Sequence, residues 1–294
     1  MEKETPNLFN RFKFFIRNND KFYRNILNFK FRTKKLKLQP NKQLDSIVSK
    51  LFSDGIAFAH VNDIFGSQLG SELFTSAQKW IESEEKNLRV NPIKQYLFSY
   101  LEPNWELDFS NPILKFYLSP EFIYVASNYL GYVPQLNEFI IEKTIPVGSV
   151  AAVQSQNWHR DPQEKRTLKI FLYLSDVSSD SGPFIYVKHS SPTSKGKYSR
   201  IAPQVLPKGS YPDPHLIEQT VSNSDICIAN AQKGTIIFCD TSGIHKGGYA
   251  KANQRIMATG FYPSKFYTKG KNFKLNQHVL GEIGKTNTLA KNLF

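Results

Sequence analysis

Four polar residues from two widely separated stretches of the chain, His159 and Asp161 in one and His245 and Arg255 in the other, each stand at the edge of a run that reads as a β-strand. Asp161 is followed by Pro162, a polar stretch Gln163-Glu164-Lys165-Arg166, and then Ile170-Phe171-Leu172-Tyr173-Leu174. Gly234 to Asp240 is a second apolar run. It breaks at Thr241-Ser242-Gly243, just before His245, and Arg255 leads a third run that ends at Tyr262. Aromatic and β-branched runs punctuated by Pro, Gly and small polar residues mark a succession of strands and turns. A chain whose polar strand edges must meet folds most simply with distant strands converging on one barrel mouth, a usual place for a small-molecule site.

Two imidazoles and one carboxylate form the ligand set that binds non-haem Fe(II) on one face and leaves the opposite positions open. His159-Arg160-Asp161 with the distant His245 supplies that set. A His-x-Asp triplet is weak by itself: His159 also reads as a loop histidine beside a solvated aspartate, and His245 as a turn residue between Gly243 and Gly247. Arg255 suits a carboxylate, because its planar fork binds both oxygens at once. Its plain alternative is a surface arginine on a strand.

The wider context makes the pattern specific. Gln156-Asn157-Trp158-His159-Arg160-Asp161, Leu168 to Val177 (LKIFLYLSDV), and Ser181-Gly182-Pro183-Phe184 resemble the first metal-ligand region of the phytanoyl-CoA dioxygenase-like family of Fe(II)/2-oxoglutarate oxygenases. Phe238 to Gly248 (FCDTSGIHKGG) with Arg255 resembles its second-ligand strand and 2-oxoglutarate arginine. Asp54 to Phe65 resembles the opening strand, and Asn111 to Pro134 the helix before the barrel. The resemblance spans roughly residues 45–265. It departs at Val187-Lys188-His189-Ser190-Ser191-Pro192, where a Pro-Gly-Ser-His turn is common in the family.

The resemblance implies a mainly β fold, a double-stranded β-helix (jelly-roll, cupin-like barrel) with flanking N-terminal α-helices. It implies Fe(II) on His159, Asp161 and His245, which would be the catalytic centre, and 2-oxoglutarate as co-substrate on Arg255. With O2, 2-oxoglutarate would go to succinate and CO2 while a small-molecule or lipid-like metabolite is oxidised. Halogenating relatives replace the carboxylate by a small residue. Asp161 keeps it, which favours hydroxylation, or a related desaturation or ring closure. Two other readings stay open: a catalytically silent cupin-like module that binds metal or ligand, and another metal-dependent cupin enzyme such as an isomerase, which would not need Arg255.

Strand parity adds candidates. If Phe171 faces the cavity, so do Lys169 and Tyr173. Lys169 could hold a carboxylate or phosphate of either substrate, or could snorkel to water from a strand end. Gln154 and Gln156 read as one strand face before the triplet, in reach of co-substrate or simply solvated. His60, His189, His215 and His278 have no partner arrangement and read as non-ligands.

The charge of the chain is uneven. Of a net +13, residues 1–42 carry twelve Lys/Arg against three Asp/Glu. This arm is also rich in Phe, and its apolar spacing is helical. An amphipathic helix packed on the barrel is the plain reading; an anionic membrane surface is the partner that the arm suits otherwise, ahead of nucleic acid. No run approaches the length of a transmembrane segment. Two cysteines with no metal-site spacing fit a reducing, cytoplasmic setting, peripheral to a membrane if the arm binds one.

The expected division is therefore an arm (1–42), an oxygenase domain with a helical N-terminal part (43–270) and a C-terminal tail (271–294). Amphipathic spacing predicts helices over 43–53 and 67–88, the latter with Leu69, Leu73, Ala77, Trp80 and Ile81 inward, and a helix pair around Pro120. Residues 192–224, rich in Pro, Ser and Lys, read as a long loop over the barrel mouth, the place where specificity would be set.

Overall fold

Alternation along the strands sets the architecture. In the computed structural model, which describes residues 41–92, 94–146, 154–194, 196–207, 209–211, 213–264, 267, 269–275, 277–286 and 289–294, the chain is built on a large antiparallel sheet. The basic arm, with its helical and membrane-surface readings, falls on residues 1–42 and so lies outside the described residues except for Asn41 and Lys42. No helix among the described residues is long and apolar enough to cross a membrane.

The large sheet has seven strands: β1 (Ile56–His60), β2 (Arg89–Val90), β3 (Leu97–Ser99), β5 (Glu138–Thr144), β6 (Leu168–Tyr173), β9 (Thr235–Asp240) and β11 (Arg255–Tyr262). They run in the order β1-β9-β6-β11-β5-β3-β2, every pair antiparallel. A second sheet has the order β10-β7-β8, from His245–Gly247, Phe184–Val187 and Ile226–Ile228. β4 (Trp105–Glu106) pairs in parallel with β12 (Phe273–Lys274).

The two faces of the large sheet pack against different things. Ile170, Leu172, Phe238, Ile141 and Ala258 point outward into the largest core, shared with the N-terminal helices. Phe171, Tyr173, Ile237 and Cys239 point inward and meet Phe184 and Tyr186 of the second sheet. Residues of opposite parity thus bury themselves in opposite layers, as the two-residue repeat of a strand requires.

Local chemistry explains the helices on the outer layer. Helix α1 (Lys42–Asp54) starts at Asn41, whose side chain accepts from the backbone of Gln43 and Leu44, and stops at Gly55, with φ of 81°. A Cβ at Gly55 would also collide with the Tyr186 hydroxyl. α2 (Val61–Phe65) is capped by His60, which gives that histidine a structural task. α3 (Ser67–Glu84) buries Gly70, Ala77 and Ile81, not Leu69, which is half exposed. Gly70 lies against the Val61 carbonyl, and Leu69, one residue earlier, falls about 100° round the helix from it. α4 (Pro112–Tyr117) and α5 (Pro120–Leu130) form the expected pair around Pro120, capped by Asn111 and Ser119.

Two segments have more structure than their composition suggested. The 192–224 segment, read as a loop from its prolines, carries α6 (Lys197–Val205) and α7 (Pro214–Thr220). Pro214 opens its helix, where a missing N–H is tolerated. Tyr198, Ala202, Leu206, Ile217 and Val221 bury themselves with Trp158 and Val187 in a third core. Residues 271–294, read as a tail, contribute β12 and α8 (Gln277–Thr286), and Phe273, Ile283, Ala290 and Leu293 are buried in the outer core.

Candidate metal centre

The two histidines are joined through their backbones. His159 donates to the His245 carbonyl at 2.9 Å and His245 returns the bond to His159 at 3.0 Å, an isolated antiparallel bridge. Asp161 N–H donates to the Thr241 carbonyl at 2.9 Å. The triplet strand is thereby laid alongside the Thr241–His245 turn. That turn is organised in its own right by Asp240, whose Oδ1 accepts from the backbone of Thr167 and Ser242 and from the Ser242 hydroxyl.

Each imidazole is oriented by a carbonyl two residues upstream: Nδ1 of His159 faces the Asn157 oxygen at 2.9 Å, and Nδ1 of His245 the Gly243 oxygen at 3.0 Å. A carbonyl can only accept, so Nδ1 carries the proton and Nε2 keeps its lone pair. Both Nε2 atoms face Asp161 Oδ1, at 3.8 Å and 3.9 Å. One ligand atom from each of the three residues lies within 4.8 Å of the others, the grouping that a single metal ion can bridge.

Electrostatics keep these donors in metal-binding form. Burial, and then the neighbouring His159, press the His245 imidazole down to about 3, and burial lowers His159 too, so both are neutral near pH 7. Burial alone would raise Asp161. The Lys169 ammonium overcomes it and holds the carboxylate well below its usual range.

Arg255 leads β11 on the inner face, opposite Thr144. Its guanidinium donates to the Gly182 carbonyl and to Thr144 Oγ1, the latter at 3.3 Å. Its Nε is buried without a hydrogen-bond partner, a donor that a carboxylate oxygen would satisfy. The residues present therefore fit both a metal ion and a carboxylate-bearing co-substrate.

Lys169 does face inward with Phe171 and Tyr173, but its Nζ lies 2.8 Å from Asp161 Oδ2. Gln154–Gln156 form a single 3-10 turn and not a strand, with Gln154 exposed and Gln156 buried, so the two glutamines do not share a strand face. His189 takes a left-handed φ of 61° and its Nδ1 faces the Ser53 carbonyl, while His215 and His278 are exposed. Among the described residues none of these joins the metal grouping.

Four contributors escaped the sequence reading. Glu142 lies on the inner face of β5, and burial raises its carboxyl although Lys94, Arg255 and Lys169 oppose the rise. The alternation of Glu138, Ile140, Glu142 and Thr144 was the signal for it. Lys94, whose Nζ is 3.0 Å from Ser155 Oγ, follows the Asn91-Pro92 break and had no periodic signal. Tyr211 stands in the 192–224 segment with its ring 5.7 Å from that of His159, and is 52% exposed. Arg160, between the two ligands, points away from them and donates to the carbonyls of Ser242 and Leu206.

No family model matches the chain, and no curated protein matches it by sequence. Solved structures do. EctD from S. alaskensis, with 2-oxoglutarate and 5-hydroxyectoine, superposes with a TM-score of 0.52 at 14% identity, over 83% of this chain and 90% of that one. The non-heme alpha ketoglutarate dependent epimerase SnoN from nogalamycin biosynthesis gives 0.52 at 11%, over 76% and 83%. AviO1 from Streptomyces viridochromogenes Tue57 gives 0.50 at 16%, over 79% and 100%. At these identities the likeness is one of fold: the chain has the architecture of non-haem iron, 2-oxoglutarate-dependent enzymes.

Proposed function

We propose that the protein is an Fe(II)- and 2-oxoglutarate-dependent dioxygenase of the phytanoyl-CoA dioxygenase-like type, built on a double-stranded β-helix, that hydroxylates a small-molecule or lipid-like metabolite. The observation that carries the reading is the convergence of His159 Nε2, His245 Nε2 and Asp161 Oδ1, with both Nδ1 atoms already committed to carbonyls. His159, Asp161 and His245 hold the metal. Arg255, with an unsatisfied buried Nε–H, takes the distal carboxylate of 2-oxoglutarate. Bound iron and 2-oxoglutarate supply the oxidising power, drawn from O2 with release of succinate and CO2.

The chain's own groups bind, orient and shield. Phe171 and Phe184 wall the inner side of the site, their rings 4.8 Å apart, with Phe184 5.6 Å from His245. The retained carboxylate of Asp161 supports hydroxylation over halogenation. The 192–224 segment, which brings Tyr211 to the exposed side of His159, is where substrate would be selected. Residues 43–270 form the catalytic unit in this reading.

Anaerobic reconstitution with Fe(II) and 2-oxoglutarate tests it. The weak visible charge-transfer band of the chelated keto acid is expected in the wild type and is weakened in Arg255→Ala. A folded, iron-loaded protein with no band would sink the proposal in favour of a silent binding module or an isomerase.

A further inference from the structure

Lys169 has no task in that scheme. It occupies an inner position of β6, between Cys239 of β9 and Phe261 of β11 in the ladder. Its side chain is 18% exposed, and its ammonium lies 5.9 Å from the Phe261 ring centroid. A lysine so enclosed needs an anionic partner, and the partner is Asp161. The two oxygens of that carboxylate are divided. Oδ1 faces both histidine Nε2 atoms, at 3.8 Å and 3.9 Å, while Oδ2 forms an ion pair with the Lys169 ammonium at 2.8 Å, charge to charge and not as an aligned hydrogen bond.

We infer that Lys169 is a positioning residue that reserves Oδ2 of Asp161 and leaves Oδ1 as the single oxygen offered to the metal. The inference rests on the reading of His159, Asp161 and His245 as metal ligands. A carboxylate can bind a cation through one oxygen or through both. Used through both, Asp161 would take a position that a facial triad leaves open for other ligands. The ammonium prevents this by occupying the second oxygen, and it does so from the rigid middle of a sheet, where the side chain has little freedom to leave. The same placement puts a positive charge beside the metal, so the site holds a divalent cation less tightly than the bare triad would.

Titration of the metal-free protein with Mn(II), without 2-oxoglutarate, tests the assignment through water-proton relaxation, which counts the exchangeable waters on the ion. Lys169→Met is expected to bind Mn(II) about tenfold more tightly, since a neighbouring cation has gone, and to lose about one of the roughly three exchangeable positions of a facial triad. Lys169→Arg, which keeps a cationic donor, is expected to restore the wild-type count. Lys169→Gln, polar and of similar bulk, gives the Met result if methionine is not tolerated. An unchanged water count in both Lys169→Met and Lys169→Gln would overturn the assignment while leaving the metal site standing. An unchanged count together with weakened 2-oxoglutarate binding would make Lys169 a co-substrate ligand instead. Wild-type protein that binds no Mn(II) would remove the metal-site reading, and this assignment with it.

Discussion

The inner and outer faces of the seven-stranded sheet are made from the same strands and carry opposite chemistry. On the outer face Leu172, Phe238, Ala258 and Ile141 are wholly buried under helices. On the inner face the apolar row is interrupted by Lys169, Glu142 and Arg255, enclosed and mutually interacting. The outer face lowers the free energy of folding through area removed from water. The inner face takes on the cost of enclosing charges and keeps it down by pairing them. The fold therefore depends on one face and the proposed chemistry on the other, and substitutions on the two should separate cleanly.

The largest separation is expected between the outer face and the proposed metal site, whose His245 is supplied by the second sheet. His245→Ala should abolish the 2-oxoglutarate charge-transfer band and weaken metal binding by more than the roughly 100-fold that loss of a supporting residue can cost, with little change in denaturant midpoint for the metal-free protein. Phe238→Ala, on the outer face against Phe122, should do the converse. It should lose about 3–5 kcal/mol of stability, with unaltered metal affinity at temperatures where the variant is folded. If either variant moved both readouts equally, the division between the faces would fail.

Arg255→Ala should raise the 2-oxoglutarate concentration for half-saturation by about 100-fold, within the range for truncating a buried charge partner, and leave metal affinity without co-substrate close to wild type. Acid should act first on the candidate site, where His245 belongs to the second sheet. His245 is held at about 3 in the fold, against about 6.5 in the unfolded chain. Between those values the unfolded chain binds the extra proton, so stability falls as pH falls. The metal-free protein should lose about 2 kcal/mol from this group between pH 7 and pH 5, measured by denaturant midpoints, and His245→Gln should remove that part of the slope. The smallest effect belongs to the periphery. Arg89 and Glu102 pair across exposed ground, and Arg89→Ala should change stability by under about 1 kcal/mol; a larger loss would mean that the rim of the sheet carries weight assigned here to its centre.

The legible part of the molecule was the part governed by period and punctuation. The β6, β9 and β11 runs were readable because alternation there coincides with flanking Pro, Gly and polar turns, and α1 and the pair around Pro120 because caps and apolar spacing agree. The grouping of His159, Asp161 and His245 was readable because these residues fall at strand edges. Leu69 was misplaced because spacing cannot tell which of two adjacent residues meets a neighbouring backbone, which Gly70 does. Gln154 and Gln156 were misread because a short tight turn leaves the same composition as a strand end. Lys169 was correctly turned inward by parity, but parity does not say which anion it finds. The helices of 192–224 were hidden by prolines, whose cost depends on their place in a helix.

Arg160 gives the site an attachment point. Its side chain, nearly without exposure, holds the Ser242 carbonyl at 2.8 Å and the Leu206 carbonyl at 3.3 Å, and its own carbonyl accepts from Gly209. A residue whose neighbours on either side belong to the proposed metal site thus clasps the segment bearing Tyr211. In the proposed function, such a clasp separates inheritance of the catalytic centre from inheritance of its selectivity. So long as Leu206 and Gly209 dock, the stretch between them and α7 can lengthen, shorten or change its side chains without disturbing the ligands, and one scaffold can be refitted from substrate to substrate by exchange of a single cassette.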